Sequence, residues 1–414
     1  MRRRDFLAGG ALAGLSWRAA RATPPAARVI IVGGGFAGSC CALRLRELSP
    51  RSAITLLDPQ AEYITCPMSD AVLVGLRDLK TITVGRTGLE RAGVRFLPAA
   101  VTGIDAAQHR VRLAAGPSLP YDRLVVAPGI RLLFGTPVGY DAAAAQQLPH
   151  AWQAGPQTVL LLRQLQAMAD GGVVAISVPT GLMRCPPGPY ERASLIAGWL
   201  QQHRPRSKVL IFDANNHFPR QDVFTRAWQE LYPNMIEWLP PAAGGAVTRV
   251  DAARRMLFSS SGAHPVAVAN VIPPQAPGQL AADVGLASGH GWCPVDPLSF
   301  GSQLLPDVHV IGDACIAGAM PKAASAAMSQ ARRCAQAISA ALGASATPAP
   351  PLESVCYSML SADSAFAIEA RFAVEAHDIR QLSGNPATDG APSAQRARQA
   401  QEWYATLRTQ CFGA

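Results

Sequence analysis

The stretch Val29-Ile30-Ile31-Val32-Gly33-Gly34-Gly35-Phe36-Ala37-Gly38 decides the fold of the first part of this chain. Its four apolar residues have no helical spacing and predict a strand buried on both faces of a parallel sheet. The turn that follows has the G-x-G-x-x-G spacing. In such a turn Gly33 permits the tight bend, Gly35 lets a pyrophosphate approach, and Gly38 lets the helix pack on the strand. The first N–H groups of that helix would bind the anion.

Asp58 supplies the second part of the same signature. It ends the apolar strand Ala53-Ile54-Thr55-Leu56-Leu57, about where an acidic residue binds a ribose hydroxyl. A Gly-rich turn that only opens an ordinary βαβ unit is the alternative interpretation. The sequence predicts a dinucleotide site formed by Asp58 with the turn residues Gly33, Gly34, Gly35, Ala37 and Gly38.

Two later segments indicate which dinucleotide is bound. Leu124-Val125-Val126-Ala127-Pro128-Gly129 is a strand ending in a turn, and Val308-His309-Val310-Ile311-Gly312-Asp313 is a strand ending in Gly-Asp before an Ala-rich helix. Both resemble signatures of flavoproteins with two dinucleotide-binding domains, in which the chain leaves the FAD domain and returns to it. The resemblance implies that these two turns contact FAD, with Asp313 at the ribityl or phosphate region.

The fold expected from this resemblance is α/β, with two Rossmann-like domains of the FAD-dependent disulfide reductase type and a small C-terminal domain. We expect the FAD domain at 29–135 and 286–345, a central domain at 136–285, and the C-terminal domain at 346–414. The central turn Pro179-Thr180-Gly181-Leu182-Met183-Arg184-Cys185-Pro186-Pro187 lacks the glycines that would admit a second pyrophosphate. NAD(P)H is therefore not expected to be the electron donor.

Composition and charge exclude several classes of protein. The chain has 414 residues, 49% hydrophobic and 16% charged, which predicts a globular protein of two or three domains. The formal net charge of +9 falls to +5 without the first 22 residues, and no Lys/Arg-rich block remains. Nucleic acid is therefore not an expected partner. No apolar run beyond residue 29 is long enough for a membrane span, so stable membrane insertion is not expected either.

Residues 1–22 have the pattern of a twin-arginine export signal. Arg2-Arg3-Arg4-Asp5-Phe6-Leu7 precedes a short, weakly apolar core, and Ala20-Arg21-Ala22 provides a small-residue cleavage site. An uncleaved anchor is the alternative. Because the twin-arginine route exports folded proteins with their cofactors, the pattern predicts a periplasmic flavoprotein, in a compartment where disulfides persist.

Three cysteines on separate segments suggest thiol chemistry beside a flavin. They are Cys66 in Tyr63-Ile64-Thr65-Cys66-Pro67, Cys185 in Cys185-Pro186-Pro187-Gly188-Pro189-Tyr190-Glu191-Arg192-Ala193-Ser194, and Cys356 in Cys356-Tyr357-Ser358. With Leu148-Pro149-His150-Ala151-Trp152 and Gly291-Trp292-Cys293-Pro294, these runs resemble the flavoprotein subunit of flavocytochrome c sulfide dehydrogenase. The resemblance covers nearly all of 28–412.

The resemblance implies roles for these residues. Cys66 matches the cysteine bonded to the 8α-methyl of FAD, and Cys185 and Cys356 match a redox-active disulfide that hydrosulfide opens. Lys322 is a candidate for holding negative charge on reduced flavin, with a solvated helix-start lysine as the alternative. Glu191 is either a proton acceptor or an ordinary first-turn carboxylate. The chain has no C-x-x-C-H haem motif, so the expected partner is a separate c-type cytochrome subunit in a heterodimer.

Two other functions remain open from the sequence. A sulfide:quinone oxidoreductase would end in apolar amphipathic helices, and residues 395–412 are polar. A flavoprotein accessory factor that reactivates a sulfur-oxidation system would carry the same residues. The remaining cysteines are read as small buried hydrophobes, and their spacing predicts no metal site: Cys40, Cys41, Cys293, Cys315, Cys334 and Cys411.

Overall fold

The computed structural model describes residues 26–289, 291–345, 347–375, 377–383 and 391–414. The predicted export signal at 1–22 lies outside the described residues. The helices are α1 (Phe36–Leu48), α2 (Ser69–Leu73), α3 (Thr87–Arg91), α4 (Pro156–Ala167), α5 (Gly188–His203), α6 (Gln221–Leu231), α7 (Gln279–Asp283), α8 (Ala324–Ala341) and α9 (Ala394–Phe412).

Strands alternate with these helices along most of the chain. They are β1 (Arg28–Val32), β2 (Ala53–Leu57), β3 (Tyr63–Ile64), β4 (Thr83–Val84), β5 (Arg95–Leu97), β6 (Val101–Asp105), β7 (Arg110–Leu113), β8 (Leu119–Pro120), β9 (Arg123–Val126), β10 (Ile130–Leu132), β11 (Val173–Val178), β12 (Lys208–Asp213), β13 (Ile236–Leu239), β14 (Arg249–Asp251), β15 (Met256–Ser259), β16 (Gly262–Pro265), β17 (Val268–Val271), β18 (Gln275–Pro277), β19 (Cys293–Pro294), β20 (Val308–Val310), β21 (Cys315–Ile316), β22 (Leu352–Met359), β23 (Ala365–Glu375) and β24 (Asp378–Gln381).

The first sheet is parallel, with strand order β20-β9-β1-β2-β5. Its central strand β1 is buried from Val29 to Val32, as expected for an apolar strand without alternation that is covered on both faces. Helices α1 and α8 pack against each other beside this sheet. Strand β20, far along the sequence, pairs with β9, so the turn after it lies at the same sheet edge as the glycine turn after β1.

The second sheet is also parallel, with strand order β13-β12-β11-β17. Two parallel sheets with their crossover helices confirm the predicted α/β fold. The loop that follows the first strand of each parallel sheet differs in length. Residues 33–35 alone join β1 to α1, whereas residues 179–187 join β11 to α5. The long second connection carries Arg184 and Cys185 where the first carries a phosphate-binding turn.

The C-terminal segment forms the antiparallel sheet β22-β23-β24 and the last helix, α9. Ser393 caps α9 by accepting a hydrogen bond from the Arg396 N–H at 3.2 Å. At the other end of α9, the ring of Phe412 stacks on Tyr63 with centroids 5.6 Å apart. The C-terminal helix thereby closes over the segment that leads to Cys66. Across the described ranges, no helix combines the length and apolarity needed to cross a bilayer.

Candidate functional site

The glycine turn after β1 has the geometry of a phosphate-binding turn. Gly33 has φ +100°, and its N–H donates to the Leu57 carbonyl at 2.8 Å. A Cβ on Gly38 would lie 1.9 Å from the Gly33 carbonyl oxygen, so only glycine allows this packing of α1 against the turn. Gly35 is the N-cap residue of α1 and provides no side-chain cap. The first N–H groups of α1 are therefore suited to an anionic ligand.

Asp58 and Arg86 flank this turn. The Gly34 N–H donates to Asp58 Oδ2 at 2.6 Å, and the Gln60 N–H donates to Oδ1 at 2.8 Å. The guanidinium of Arg86 lies 3.7 Å from Asp58 Oδ2 and donates to the Gly34 carbonyl at 2.5 Å. Arg86 is buried, and its Nε has no hydrogen-bond partner among the described residues. Sequence reasoning missed Arg86, a buried cation with a spare donor beside the turn.

The other two predicted turns lie at the same sheet edge. A Cβ on Gly33 would lie 2.2 Å from the Ala127 carbonyl, so this turn packs directly on the end of β9 with Pro128 and Gly129 following. A Cβ on Gly312 would lie 3.0 Å from the Ala37 side chain. Burial raises the pKa of Asp313, the next residue. The structure therefore brings together the predicted residues of the glycine turn, the β9 turn and the β20 turn.

Cys66 lies in the short loop between β3 and α2. Its Sγ is 3.9 Å from the carbonyl oxygen of Trp152. Burial raises the pKa of Tyr63, and the neighbouring Cys66, Asp313 and Asp58 raise it further. Cys66 is only partly buried. The thiol is therefore close to the predicted cofactor residues while remaining accessible to a ligand.

Arg184 is the second residue that sequence reasoning missed. Its guanidinium donates to the carbonyl of Trp152, the same oxygen that Cys66 approaches. Burial alone would lower the pKa of Arg184. The nearby side chains of Cys66, Asp313, Tyr63 and Cys185 have the opposite and larger effect, so its pKa is raised. Its backbone N–H donates to Gln275 Oε1 at 2.9 Å. The cation lies between the Cys66 segment and Cys185, and the only sequence signal was its position next to Cys185.

Cys185 and Cys356 meet at the end of the long second connection. Cys185 has φ +53°, and its N–H donates to the Lys322 carbonyl at 2.8 Å. Burial raises the pKa of the Cys185 thiol well above its ordinary range, and the nearby Glu191 and Cys356 raise it further. Cys356 lies on β22, 3.5 Å from Ser325 Oγ. In this structure the two sulfurs are not bonded to each other.

Trp152 joins the cysteine pair to the Cys66 segment. A Cβ on Gly188 would lie 2.9 Å from the Trp152 ring and 3.1 Å from Cys185 Sγ. The Trp152 ring and the Cys185 sulfur therefore both pack closely against Gly188. The buried Arg192 holds the Trp152 loop by donating to the Ala151 carbonyl at 2.8 Å, and it pairs with Asp70 at 2.9 Å. Trp152 thus shares Gly188 as a neighbour with Cys185, and its carbonyl oxygen lies 3.9 Å from the Cys66 sulfur.

Glu191, in the first turn of α5, lies near both thiols. Burial raises its pKa to about 8, and the charge of Asp70 adds to this effect, while the Met359 N–H acts in the opposite direction. The charge of Glu191 in turn raises the pKa of Cys185 and of Cys356. A carboxylate with this pKa can exchange a proton with a thiol near neutral pH.

A cavity of about 450 Å³ lies between α2, α5 and the end of β22. Each cysteine segment contributes to its wall: Met68 follows Cys66, Leu195 lies one turn after Glu191, and Met359 follows Cys356. Arg77 lies in the same lining. Asp78 lines it as well, so the wall carries charges of both signs.

Lys322 does not have the solvated environment that was one of the two alternatives left open by the sequence. Its ammonium donates to the carbonyls of Asp313 at 2.7 Å and Cys315 at 3.1 Å and lies 3.7 Å over the Trp292 ring. Burial lowers its pKa. Lys322 is therefore not a solvated lysine, and it ties together the segment around Asp313. A direct contact with reduced flavin stays a prediction.

The donor set fits FAD. A glycine turn with free helix N–H groups, the buried Arg86 with its unused Nε and the Asp58 carboxylate suit a pyrophosphate and a ribose. A partly accessible thiol at Cys66 and a second cation at Arg184 lie where the isoalloxazine end would follow.

Three family models match the chain. Residues 158–273 match the central domain of the sulfide dehydrogenase [flavocytochrome c] flavoprotein chain, and residues 348–412 match the flavin-binding domain of flavocytochrome c sulphide dehydrogenase. Residues 27–147 match the pyridine nucleotide-disulphide oxidoreductases.

Individual relatives agree with these models. The sulfide dehydrogenase [flavocytochrome c] flavoprotein chain of Chlorobaculum thiosulfatiphilum is 49% identical over 45 residues, which are 11% of this chain and 94% of that sequence. The sulfide-quinone reductase of Aquifex aeolicus is 31% identical over 111 residues, 27% of this chain and 26% of the relative. The X-ray structure of the sulfide:quinone oxidoreductase of Aquifex aeolicus has a TM-score of 0.72 at 18% identity, covering 94% of this chain and 93% of the other. At that identity the structural likeness shows the fold alone.

Proposed function

Because the chain belongs to the family of the flavoprotein chains of flavocytochrome c sulfide dehydrogenase, we propose that Cys185 and Cys356 are its redox-active pair. The chain is a flavin-dependent oxidoreductase that acts on sulfide. The observation that carries the proposal is the convergence of three segments. The Cys66 sulfur lies 3.9 Å from the Trp152 carbonyl oxygen, the Trp152 ring and the Cys185 sulfur both pack against Gly188, and Glu191 lies near Cys185 and Cys356. FAD is bound by the turns described above, and its covalent attachment to Cys66 is part of the proposal.

The resting enzyme holds Cys185 and Cys356 as a disulfide. Hydrosulfide attacks one sulfur and the S–S bond breaks, which leaves a persulfide on one cysteine and a thiolate on the other. A second HS⁻ removes the outer sulfur as HSS⁻ and leaves a thiol. The thiol and the thiolate then close the disulfide again and release one proton and two electrons. When bound by the turns described above, FAD would supply the acceptor for this electron pair and would allow the electrons to leave one at a time.

Glu191 accepts the proton that is released when the disulfide closes. Its position near both sulfurs and its raised pKa suit this transfer. Asp70, with a pKa raised by burial, lies in the same charged group and pairs with Arg192.

The electron acceptor is a c-type cytochrome on a separate chain, forming a heterodimer in the periplasm. The absence of a C-x-x-C-H motif from this sequence supports a separate haem chain, and the arginines of residues 2–4 support export by the twin-arginine route. The quinone-linked alternative has less support, because the last helix, α9, turns its apolar residues Tyr404, Leu407 and Phe412 into the protein.

Arg86 should contribute to FAD affinity through the pyrophosphate. In a Cys66→Ala background, where the flavin is not covalently held, we expect Arg86→Gln to weaken FAD binding by about 10- to 100-fold, since a charge-assisted hydrogen bond contributes about 1.5–3 kcal/mol. Arg91→Gln, an exposed change at the far end of α3, is the matched control. Flavin fluorescence titration measures both, and equal affinities for the two variants would remove this role.

Glu191 should impose a pH dependence on flavin reduction. Below pH about 8 the carboxyl holds its own proton and cannot accept another, so the rate, corrected for the hydrosulfide present, rises as pH passes about 8. Glu191→Gln should lose this rise and slow reduction by about 100-fold or more. Stopped-flow absorbance checks both, with the exposed Glu230→Gln as control. An unchanged pH profile in Glu191→Gln would assign the proton to another group.

A further inference from the structure

Arg192 is a buried cation whose guanidinium joins α5 to three other segments of the chain. The residue is 2% exposed. Its Nε–H group donates to Asp70 Oδ1 at 2.9 Å, and Nη1 donates to Asn270 Oδ1 at 2.8 Å and to the His150 carbonyl at 3.2 Å. Nη2 donates to the Ala151 carbonyl at 2.8 Å. Every nitrogen of the guanidinium therefore has an acceptor.

Two of the segments that Arg192 holds meet at the sulfur of Cys66. Asp70 lies on α2, a few residues after Cys66 in the sequence. Ala151 directly precedes Trp152, whose carbonyl oxygen lies 3.9 Å from Cys66 Sγ. One guanidinium thus fixes both the segment that carries Cys66 and the loop that lies against its sulfur.

Asn270 extends this hold to strand β17. Its side chain is fully buried, and its Nδ2 donates to the carbonyls of Pro149 at 2.8 Å and His150 at 2.6 Å. His150 Nδ1 in turn accepts from the Trp152 N–H at 3.0 Å. Buried side chains therefore bond the backbone of residues 149–152 at successive positions. A loop held in this way has little freedom to move its Trp152 carbonyl.

Stability alone does not account for an ion pair at this place. Taking two opposite charges out of water has a cost that their attraction barely offsets, and apolar side chains of similar volume often give equal or greater stability. The side chains of Asp70 and Arg192 are 14% and 2% exposed, so this pair bears most of that cost. Apolar side chains cannot supply direction, whereas a planar guanidinium presents five donors in a fixed geometry. The pair therefore contributes placement more than free energy of folding.

We propose that Arg192, through its ion pair with Asp70, is a positioning residue that places Cys66 for attachment to the flavin. The inference rests on the proposed function, which assigns Cys66 to the 8α-methyl group of FAD. In the attachment the S–H bond of Cys66 and one C–H bond of that methyl group break, and an S–C bond forms. Two electrons and two protons pass to the ring, and dioxygen then accepts the electron pair as hydrogen peroxide.

The attachment depends on placement because the sulfur must approach the reacting carbon closely. Such bonds form from arrangements with the two atoms about 3–3.5 Å apart, and a misplacement of about 1 Å can lower the rate by about 100-fold. The helix α2, which follows Cys66, has only five residues and cannot fix the sulfur by itself. Loss of the Arg192 contacts should therefore slow attachment, while the turns at Gly33 and Asp58 still bind FAD without a covalent bond.

The paired variant Arg192→Met/Asp70→Leu tests the proposal on full-chain holoprotein. It removes both charges together and leaves no buried charge unpaired. We expect a melting temperature near that of native protein and FAD that survives desalting, but attachment slowed by about 100-fold. Denaturing mass spectrometry during aerobic incubation measures the fraction of chains that carry the mass of FAD. Lys208→Met/Glu237→Leu, which removes an ion pair whose side chains are 44% and 54% exposed, is the matched control and should attach FAD as native protein does.

Arg192→Lys separates charge from geometry and keeps the test valid if the paired change impairs folding. Lysine retains the positive charge beside Asp70, but its three donors on a flexible stem cannot bond all the acceptors of the guanidinium. Attachment should therefore be at least about tenfold slower than in native protein. Attachment by Arg192→Lys at the native rate would show that the geometry of the guanidinium has no such role.

The outcomes separate this inference from the proposed function. Native protein that carries attached FAD, together with an equally fast Arg192→Met/Asp70→Leu variant, would overturn the role of Arg192 alone. Native protein without attached FAD would overturn the assignment of Cys66 and this role with it. A folded paired variant that also loses FAD on desalting would mean that the ion pair supports the whole cofactor site, which contradicts a specific role in placing Cys66.

Discussion

Replacing Cys356 with serine is expected to abolish the reduction of the flavin by sulfide while FAD stays bound. The cysteine lies on β22 and is not one of the residues proposed to hold the cofactor, which are Gly33 to Gly38, Asp58 and Asp313. Without its partner, Cys185 offers hydrosulfide no S–S bond to open. Cys185→Ser should have the same effect, with stopped-flow rates lowered by roughly a thousand-fold or more in each variant.

The double variant should be no slower than either single one, because two residues that act as a unit give strongly non-additive losses. Dithionite should still bleach all these variants, which shows that the flavin remains reducible. Cys334→Ser, a change at a buried cysteine of α8 outside the proposed redox pair, is the matched control and should keep sulfide reduction. Full sulfide activity in Cys185→Ser or Cys356→Ser would remove the proposed mechanism.

Cys66→Ala is expected to convert the flavin from covalently attached to extractable. Cys66 is partly accessible and lies beside Tyr63 and Arg184, so its sulfur can reach a bound ring. After acid precipitation the native protein should carry nearly all its yellow colour into the pellet, and Cys66→Ala should leave the colour in the supernatant. Cys356→Ser should resemble native protein. Free flavin released from native protein would contradict the attachment.

The part of the fold that depends on residues close together in the sequence was predictable. The run from Val29 to Gly38 and the acidic Asp58 fix a strand, a turn, a helix and a second strand within 30 residues, because each step depends on local backbone geometry. The two parallel sheets confirmed the fold class that these runs and the later turns imply. The roles of Cys66 and Cys185, which the family resemblance implies, stay predictions, although the structure places both near Trp152.

Residues that act through distant contacts were not predictable. Arg86 lies in an ordinary stretch before α3, and its burial beside Gly34 follows only from the folded chain. Arg184 was visible next to Cys185, but its partners Trp152 and Asp313 come from other segments. The packing of α1 against α9 joins segments that are more than 300 residues apart, and helix periodicity shows no partner across such a separation.

The central claim is that electrons enter this flavin from sulfide through the cysteine pair and not from a nicotinamide. The second connection, residues 179–187, is long and carries Arg184 and Cys185 where a nucleotide-binding turn would need glycines. An anaerobic titration of native holoprotein, followed at the flavin absorbance band, tests this most directly. The account predicts complete bleaching by two hydrosulfide ions per flavin and no bleaching by NADH. Rapid bleaching by micromolar NADH, or a flavin that stays oxidised in excess sulfide, would contradict it.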